Sequence, residues 1–412
     1  MQSLWKWALF LERLKMKPVE IKDSVYWVGV IDWNIRDFHG YSTPAGTTYN
    51  AYLVMDEKVT LFDTVKKPFK GALLDNIRSL IDPRKIDYVV VNHVEMDHSG
   101  AIPELLDVIQ PEKVFCSAMG KNALLEHYQR EDWPYEVVES GQTLSLGKKT
   151  VQFLETRMLH WPDSMFSYLQ EDRLLISSDG FGQHWATSER FDDEVNLELL
   201  LHHASKYYAN ILLLFSPLVQ KLLGAVEEAG LKIDMIAPDH GLIWRSSPER
   251  ILQAYDAWSR QKAERKAVVF YDTMWQSTEK MAEAIGDGLR QEGVQYKLFN
   301  LKMTHRSDVM TEIMDAGAVL VGSSTLNNGM MPGVADMLCY MKGLRPANKV
   351  AAAFGSYGWS GEAVKLVTSA LEDMKMEIAD PGLRVKFAPT EKDLQSCMEL
   401  GQKIARMLQK EG

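Results

Sequence analysis

Tyr88-Val89-Val90-Val91-Asn92-His93-Val94-Glu95-Met96-Asp97-His98-Ser99-Gly100 is the stretch that decides the fold. Val89–Val91 is an apolar, β-branched run and reads as a buried strand. The strand stops where His93 begins, and Ser99-Gly100 followed by Ala101-Ile102-Pro103-Glu104 opens a helix. Four metal-binding side chains therefore sit on a strand-to-helix connection, where open α/β sheets place their sites. His93 and Glu95, two apart, point to the same side of an extended segment. A turn at Asp97 and His98 would aim both at a neighbouring point. Four ligands within six residues suit two metals better than one. Two imidazoles with two carboxylates fit iron or manganese better than an all-histidine or thiolate zinc site. The bland alternative is a solvated polar turn; a lone His-x-Glu would favour it, whereas His-x-Glu-x-Asp-His directly after a buried strand does not.

His-x-Glu-x-Asp-His resembles the His-x-His-x-Asp-His signature of the metallo-β-lactamase superfamily, with glutamate in place of the second histidine. That replacement resembles the flavodiiron (A-type flavoprotein) family, and the likeness runs from about Val19 to the C-terminus. It implies an N-terminal metallo-β-lactamase-like αβ/βα sandwich, a C-terminal flavodoxin-like doubly wound parallel sheet, and reduction of oxygen or nitric oxide.

The pattern of the first half agrees with a sandwich. Strands are predicted at 25–31, 47–55, 59–62, 114–116, 137–138, 150–155 and 174–177, with a helix over 68–81. Three further segments end in metal-binding side chains. His160 precedes Trp161-Pro162, which forces a turn. Asp179 ends the apolar run Leu174-Leu175-Ile176-Ser177-Ser178 and is followed by glycine; standing alone it would read as an Asx turn. His240 ends Ile233–Pro238, with Asp239 beside it as an orienting carboxylate. His184 is left as a supporting or surface residue. The family resemblance implies His93, Glu95, His160 and Asp179 around one iron. It implies Asp97, His98, Asp179 and His240 around the other, with Asp179 bridging and His98 either a ligand or turned away. A long helical region is expected over 193–231 with a break near Pro217, then a helix over 248–265.

From about residue 265 the pattern changes to strict strand–helix alternation. Strands are predicted at 267–271, 296–301, 318–322, 350–354 and about 384–387. Three loops at strand ends carry the chemistry. Thr273-Met274-Trp275-Gln276-Ser277-Thr278 offers hydroxyls and free backbone N–H groups at a helix N-terminus, suited to a phosphate. Ser324-Thr325-Leu326-Asn327-Asn328-Gly329 follows the third strand, with serine where the family usually has proline. Ser356-Tyr357-Gly358-Trp359-Ser360-Gly361 follows the fourth and pairs small residues with aromatic surface for a flat ring. Singly each loop reads as a turn; together at one sheet edge they favour FMN. No Gly-x-Gly-x-x-Gly follows a strand, which disfavours direct dinucleotide binding. The division expected is an extension over 1–18, a metal domain over 19–264 and an FMN domain over 265–412.

Composition bounds the rest. At 412 residues the chain exceeds one ordinary core. It is 46% hydrophobic and carries a net charge of −10, which argues against nucleic acid as the main partner. Cys116, Cys339 and Cys397 form no Cys-x-x-Cys, so no rubredoxin is built in and a reducing, cytoplasmic setting is the simple reading. The strongest apolar run, Ile211–Val219, looks too short to span a membrane. The resemblance implies a head-to-tail homodimer, alone or paired as a dimer of dimers. It also implies an external donor such as rubredoxin or a reduced deazaflavin coenzyme. Two rival readings stay open: a zinc hydrolase with an accessory flavodoxin domain, and a non-catalytic flavin electron carrier.

Overall fold

The structure is a computed structural model that describes residues 17–409; most of the expected N-terminal extension lies outside the described residues. Close packing divides the chain into two units. One contains the described residues up to Asp37, Thr43–Ala204 and Lys221–Gln253; the other contains Phe38–Ser42, Ser205–Gln220 and the described residues from Ala254 on. A single cut does not separate them, since two short segments of the first half pack with the second.

The first unit is built on two sheets. One holds β1 (Val19–Lys22), β2 (Val25–Trp27), β3 (Tyr52–Val54), β4 (Thr60–Phe62), β5 (Tyr88–Val91), β6 (Lys113–Cys116) and β7 (Tyr135–Val137), hydrogen-bonded in that order. β1 to β4 run antiparallel to their neighbours, and β4 to β7 run parallel. The other sheet holds β8 (Thr143–Ser145), β9 (Thr150–Glu155), β10 (Met165–Leu169), β11 (Leu174–Ile176) and β12 (Met235–Ala237), also in chain order. β10 was not foreseen in the sequence, because Pro162-Asp163-Ser164 reads as the start of a loop.

The alternation of side chains explains why β5 is a continuous apolar run. Val90 joins Trp27, Tyr52, Phe62, Phe153, Met165 and Ile176 in the core shared by the two sheets. Val89 and Val91 face the other way, onto Leu73, Ile77, Ile102 and Leu105 of the helices Lys70–Leu80 and Ile102–Ile109. A strand covered on both faces has no position left for a polar residue until it emerges from the sheet. For β5 that position is Asn92, immediately before His93.

The helical region is longer and less regular than expected. Helix Leu197–Tyr207 passes through a π turn at Tyr208–Leu212 and a tighter turn at Leu213–Phe215 into helix Ser216–Glu228. Pro217 does not break it, since it lies in the first turn of the last helix, where its missing N–H costs no bond. The resulting 32-residue run has a mean hydropathy of 1.6 over its most apolar stretch, long and apolar enough by composition to cross a membrane. The apolar run is therefore longer than Ile211–Val219 alone. Leu200, Ala204, Tyr207, Tyr208, Leu212 and Leu213 on this run are buried within the protein.

The second unit is a parallel sheet of β13 (Glu264–Asp272), β14 (Gln295–Asn300), β15 (Ala316–Ser323), β16 (Val350–Tyr357) and β17 (Glu377–Ile378). Its order is β14-β13-β15-β16-β17, and β18 (Leu383–Lys386) also pairs with β16. The order reverses between β13 and β15, the switch point of a doubly wound sheet. The expected helix over 248–265 ends at Ser259, because Gln261 turns left-handed at φ 45° and the chain enters β13 at Glu264.

Candidate metal and flavin sites

Four strand or loop ends bring the metal-binding residues together. Asp97 and His98 lie on a single helical turn, Met96–Ser99, rather than on an open loop. His93 Nε2 lies 3.2 Å from Glu95 Oε2, and His160 Nε2 lies 3.1 Å from Glu95 Oε2 and 2.8 Å from Asp179 Oδ2. On the other side, His240 Nε2 is 3.1 Å from Asp97 Oδ2, and His98 Nε2 is 3.1 Å from Asp179 Oδ1. Candidate ligand atoms of His93, Glu95, His160 and Asp179 all fall within 4.8 Å of one another, as do those of Asp97, His98 and His240. Asp179 offers one carboxylate oxygen to each group. His98 is directed inward. His160 is part-buried, whereas the other six are buried.

The imidazoles are held from behind. His93 Nδ1 bonds Asp163 Oδ2 at 3.0 Å, and His240 Nδ1 bonds the Thr48 carbonyl at 2.7 Å. Both partners accept only, so in each neutral ring the proton sits on Nδ1 and the Nε2 lone pair faces the cluster. Gly241 makes the His240 turn possible: its φ is +80°, and a Cβ there would lie 1.3 Å from Gln183 Oε1. Asp239, expected as an orienting carboxylate, lies 3.7 Å from His98 Nδ1. His184 is buried, with Nδ1 at 2.8 Å from Thr47 Oγ1 and its ring 4.7 Å from that of His240.

The charges are mutually stabilised. Burial opposes protonation of His98, yet Asp97 and Asp179 outweigh it and push the ring up to about 10. His93 is likewise raised well above the usual histidine range against burial, by hydrogen bonds to Asp163 and Glu95. Asp179 lies well below the usual carboxylate range because the surrounding histidines overcome the cost of burial. Asp239 is raised well above that range, by burial and then by Asp63. Such a network binds protons where a cation would otherwise neutralise the carboxylates, and a metal would release them. The donor set fits that role. Both oxygens of Asp97 and Oδ1 of Asp179 are buried without an aligned hydrogen bond, although His240 and His98 nitrogens lie 3.1 Å from Asp97 Oδ2 and Asp179 Oδ1, and oxygens so placed suit a cation. A mixed imidazole and carboxylate set suits iron or manganese.

The three loops expected to bind FMN lie at the carboxyl ends of β13, β15 and β16. Thr278, Ser324 and Ser356, one from each loop, meet hydroxyl to hydroxyl at 3.0–3.3 Å. In front of them opens a cavity of about 810 Å³, within the usual range for small-molecule sites. Met274, Trp275, Ser277, Ser324, Thr325, Asn327, Asn328, Ser356, Tyr357, Gly358, Trp359 and Ser360 line it. Thr273, Gln276, Thr278, Leu326, Gly329 and Gly361 do not. Thr278 is buried behind the wall, and Leu326 and Gly329 close a two-residue turn by exchanging backbone bonds of 3.0 and 2.8 Å. Gln276, at φ 64°, turns the chain into helix Ser277–Gln291. Phe387 and Ala388 also line the cavity and were missed, though they follow β18 and so sit at the same edge of the sheet. Trp275 and Trp359 are each 88% exposed. A helix N-terminus for a phosphate and open indole faces beside a deep cavity fit FMN.

Known proteins share both halves of the chain. Residues 47–241 match the ODP family beta-lactamase model, and residues 269–401 match the flavodoxin model. A nitric oxide reductase of Moorella thermoacetica is 51% identical over 94% of this chain and 98% of its own length. A rubredoxin-oxygen oxidoreductase of Megalodesulfovibrio gigas is 50% identical over 95% and 98%.

The chain belongs to the flavodiiron family.

The crystal structure of the flavodiiron protein from Giardia intestinalis superposes with a TM-score of 0.94 at 37% identity, covering 96% of this chain and 98% of that one. The match spans both halves of this flavodiiron chain, so the two folds occur together in that protein as they do here.

Proposed function

We propose that this chain is a flavodiiron oxidoreductase that reduces oxygen to water, nitric oxide to nitrous oxide, or both, taking electrons through FMN from an external donor such as rubredoxin. The observation that carries the reading is the convergence of seven imidazole and carboxylate side chains, His93, Glu95, Asp97, His98, His160, Asp179 and His240, in one largely buried cluster whose carboxylate oxygens include some without an aligned hydrogen bond. His93, Glu95, His160 and Asp179 hold one iron in this proposal; Asp97, His98, Asp179 and His240 hold the other. When bound, two ferrous ions and a reduced flavin store the four electrons that oxygen needs, and two of these suffice for two molecules of nitric oxide. The protein's part is placement. Asp163 and the Thr48 carbonyl fix His93 and His240, and burial of the cluster keeps bulk water from it.

The functional division proposed at 264/265, one residue inside β13, falls between family models that end at 241 and begin at 269, while by packing the two units interleave along the chain. The free cysteines Cys116, Cys339 and Cys397 support a cytoplasmic setting. A head-to-tail homodimer would bring the FMN of one subunit to the metal cluster of the other. Mixing an Asp179→Ala chain with a chain disabled in FMN binding tests this: recovered activity supports it, and none recovered in a mixed dimer sinks it.

The decisive experiment is metal and flavin analysis of protein made anaerobically with iron. It is followed by oxygen and nitric oxide consumption with reduced rubredoxin. About two irons and one FMN per chain with turnover is expected. Zinc in the cluster with no reductase activity would replace this reading by the hydrolase.

A further inference from the structure

The two candidate metal positions are not supported alike. Behind His93 stands a carboxylate: Asp163 Oδ2, 3.0 Å from Nδ1, which also accepts the Val94 N–H at 2.7 Å. Behind His240 stands a neutral carbonyl, that of Thr48. Behind His98, Asp239 is 3.7 Å away, beyond hydrogen-bond reach. Asp163 is buried and anchored in turn, since its own carbonyl accepts the Ser117 hydroxyl at 2.8 Å. It also follows His160 by three residues. One side chain therefore ties the loop bearing His160 to the loop bearing His93 and Glu95.

Resting on the diiron reading above, we propose that Asp163 is a positioning residue that makes the two metal positions unequal. It lends hydrogen-bonded negative charge to the His93, Glu95 and His160 position, whereas at the other position a carbonyl stands behind His240 and the Asp239 carboxylate lies 3.7 Å from His98 Nδ1. A carboxylate behind an imidazole raises its basicity and donor strength, whereas a carbonyl mainly fixes its direction; loss of such a partner commonly costs 10–100-fold in metal affinity. The metal at the braced position is held more tightly, and its ferric form is favoured more strongly.

Asp163→Asn separates charge from shape, because asparagine keeps an acceptor oxygen for the Val94 N–H. The holoenzyme of each form, made with iron, is challenged with a chelator while iron release is followed. Its mixed-valent signal is followed by EPR during a redox titration. In Asp163→Asn, about one iron per chain is expected to leave roughly 10–100-fold more readily than in the parent, with the other unchanged. The mixed-valent signal shifts to higher potential, while FMN content and thermal midpoint stay as they were. Asp163→Glu restores part of the difference. Release of both irons together, or release and potential unchanged, overturns the inference while leaving the diiron reading intact. A parent protein that never holds two irons overturns that reading and this inference with it.

Discussion

The metal cluster and the flavin cavity solve opposite problems. The cluster buries charge. Its carboxylates and imidazoles are almost wholly removed from water, and two of the rings, His93 and His240, are fixed by polar partners, Asp163 and the Thr48 carbonyl. The flavin cavity is an open space walled by neutral hydroxyls, backbone and two indoles in solvent. In the first region the identity of each side chain decides the chemistry. In the second, shape and a helix N-terminus decide it, and single side chains matter less.

Substitutions break this contrast at its strong end first. Asp179→Ala removes the carboxylate that both metal groups share, so iron loss and turnover at background are expected, with FMN retained. Iron analysis, flavin absorbance and oxygen consumption check it, and full activity would sink the shared-carboxylate assignment. Losing both exposed indoles, Trp275→Ala with Trp359→Ala, removes stacking surface worth about 0.5–1.5 kcal/mol each. Fluorescence titration should show FMN affinity down by roughly ten- to a hundredfold with iron content untouched.

Lys349 is a buried charge in the second unit and sharpens the contrast. It is buried with its Nζ on the Met314 carbonyl, and burial lowers it to about 8. In the unfolded chain a lysine stays protonated to about pH 10.4. Between these values unfolding takes up a proton, so stability rises with pH; below pH 8 the whole cost of the buried charge is present. Lys349→Met should therefore raise the thermal midpoint at pH 7, by about 1–3 kcal/mol of stability. The gain over the parent should vanish near pH 10. A pH-independent difference would show that the lysine charge is not the cause. The smallest effect expected is from Thr278→Ala, which removes one member of the hydroxyl cluster behind the cavity. Chemical denaturation should register about 1 kcal/mol, with FMN affinity changed little.

The same contrast explains what could be read from the sequence. His93, Glu95, Asp97, His98, His160, Asp179 and His240 each stand out because a metal-binding side chain directly follows apolar strand or turn signals, and the structure places all seven together. The β13–β16 alternation was legible for the same periodic reason. Asp163 was hidden in Pro162-Asp163-Ser164, where an aspartate reads as turn chemistry, and β10 was hidden behind it. Phe387 could be reached only through the knowledge that β18 ends at the cavity. The π turn at Tyr208–Leu212 left no mark, since its residues are as apolar and helix-compatible as their neighbours. What side chains do was visible in the letters; what the backbone does was not.

The Thr48 carbonyl carries that last point furthest. Every amino acid at position 48 supplies the same oxygen, so no substitution can delete the bond to His240 as Asp163→Asn deletes charge behind His93. A mutational scan of this protein would report one imidazole as dependent on a partner and the other as self-sufficient, although both rings are tethered. Only replacing the peptide link itself, as an ester installed by chemical synthesis does, would expose the second tether.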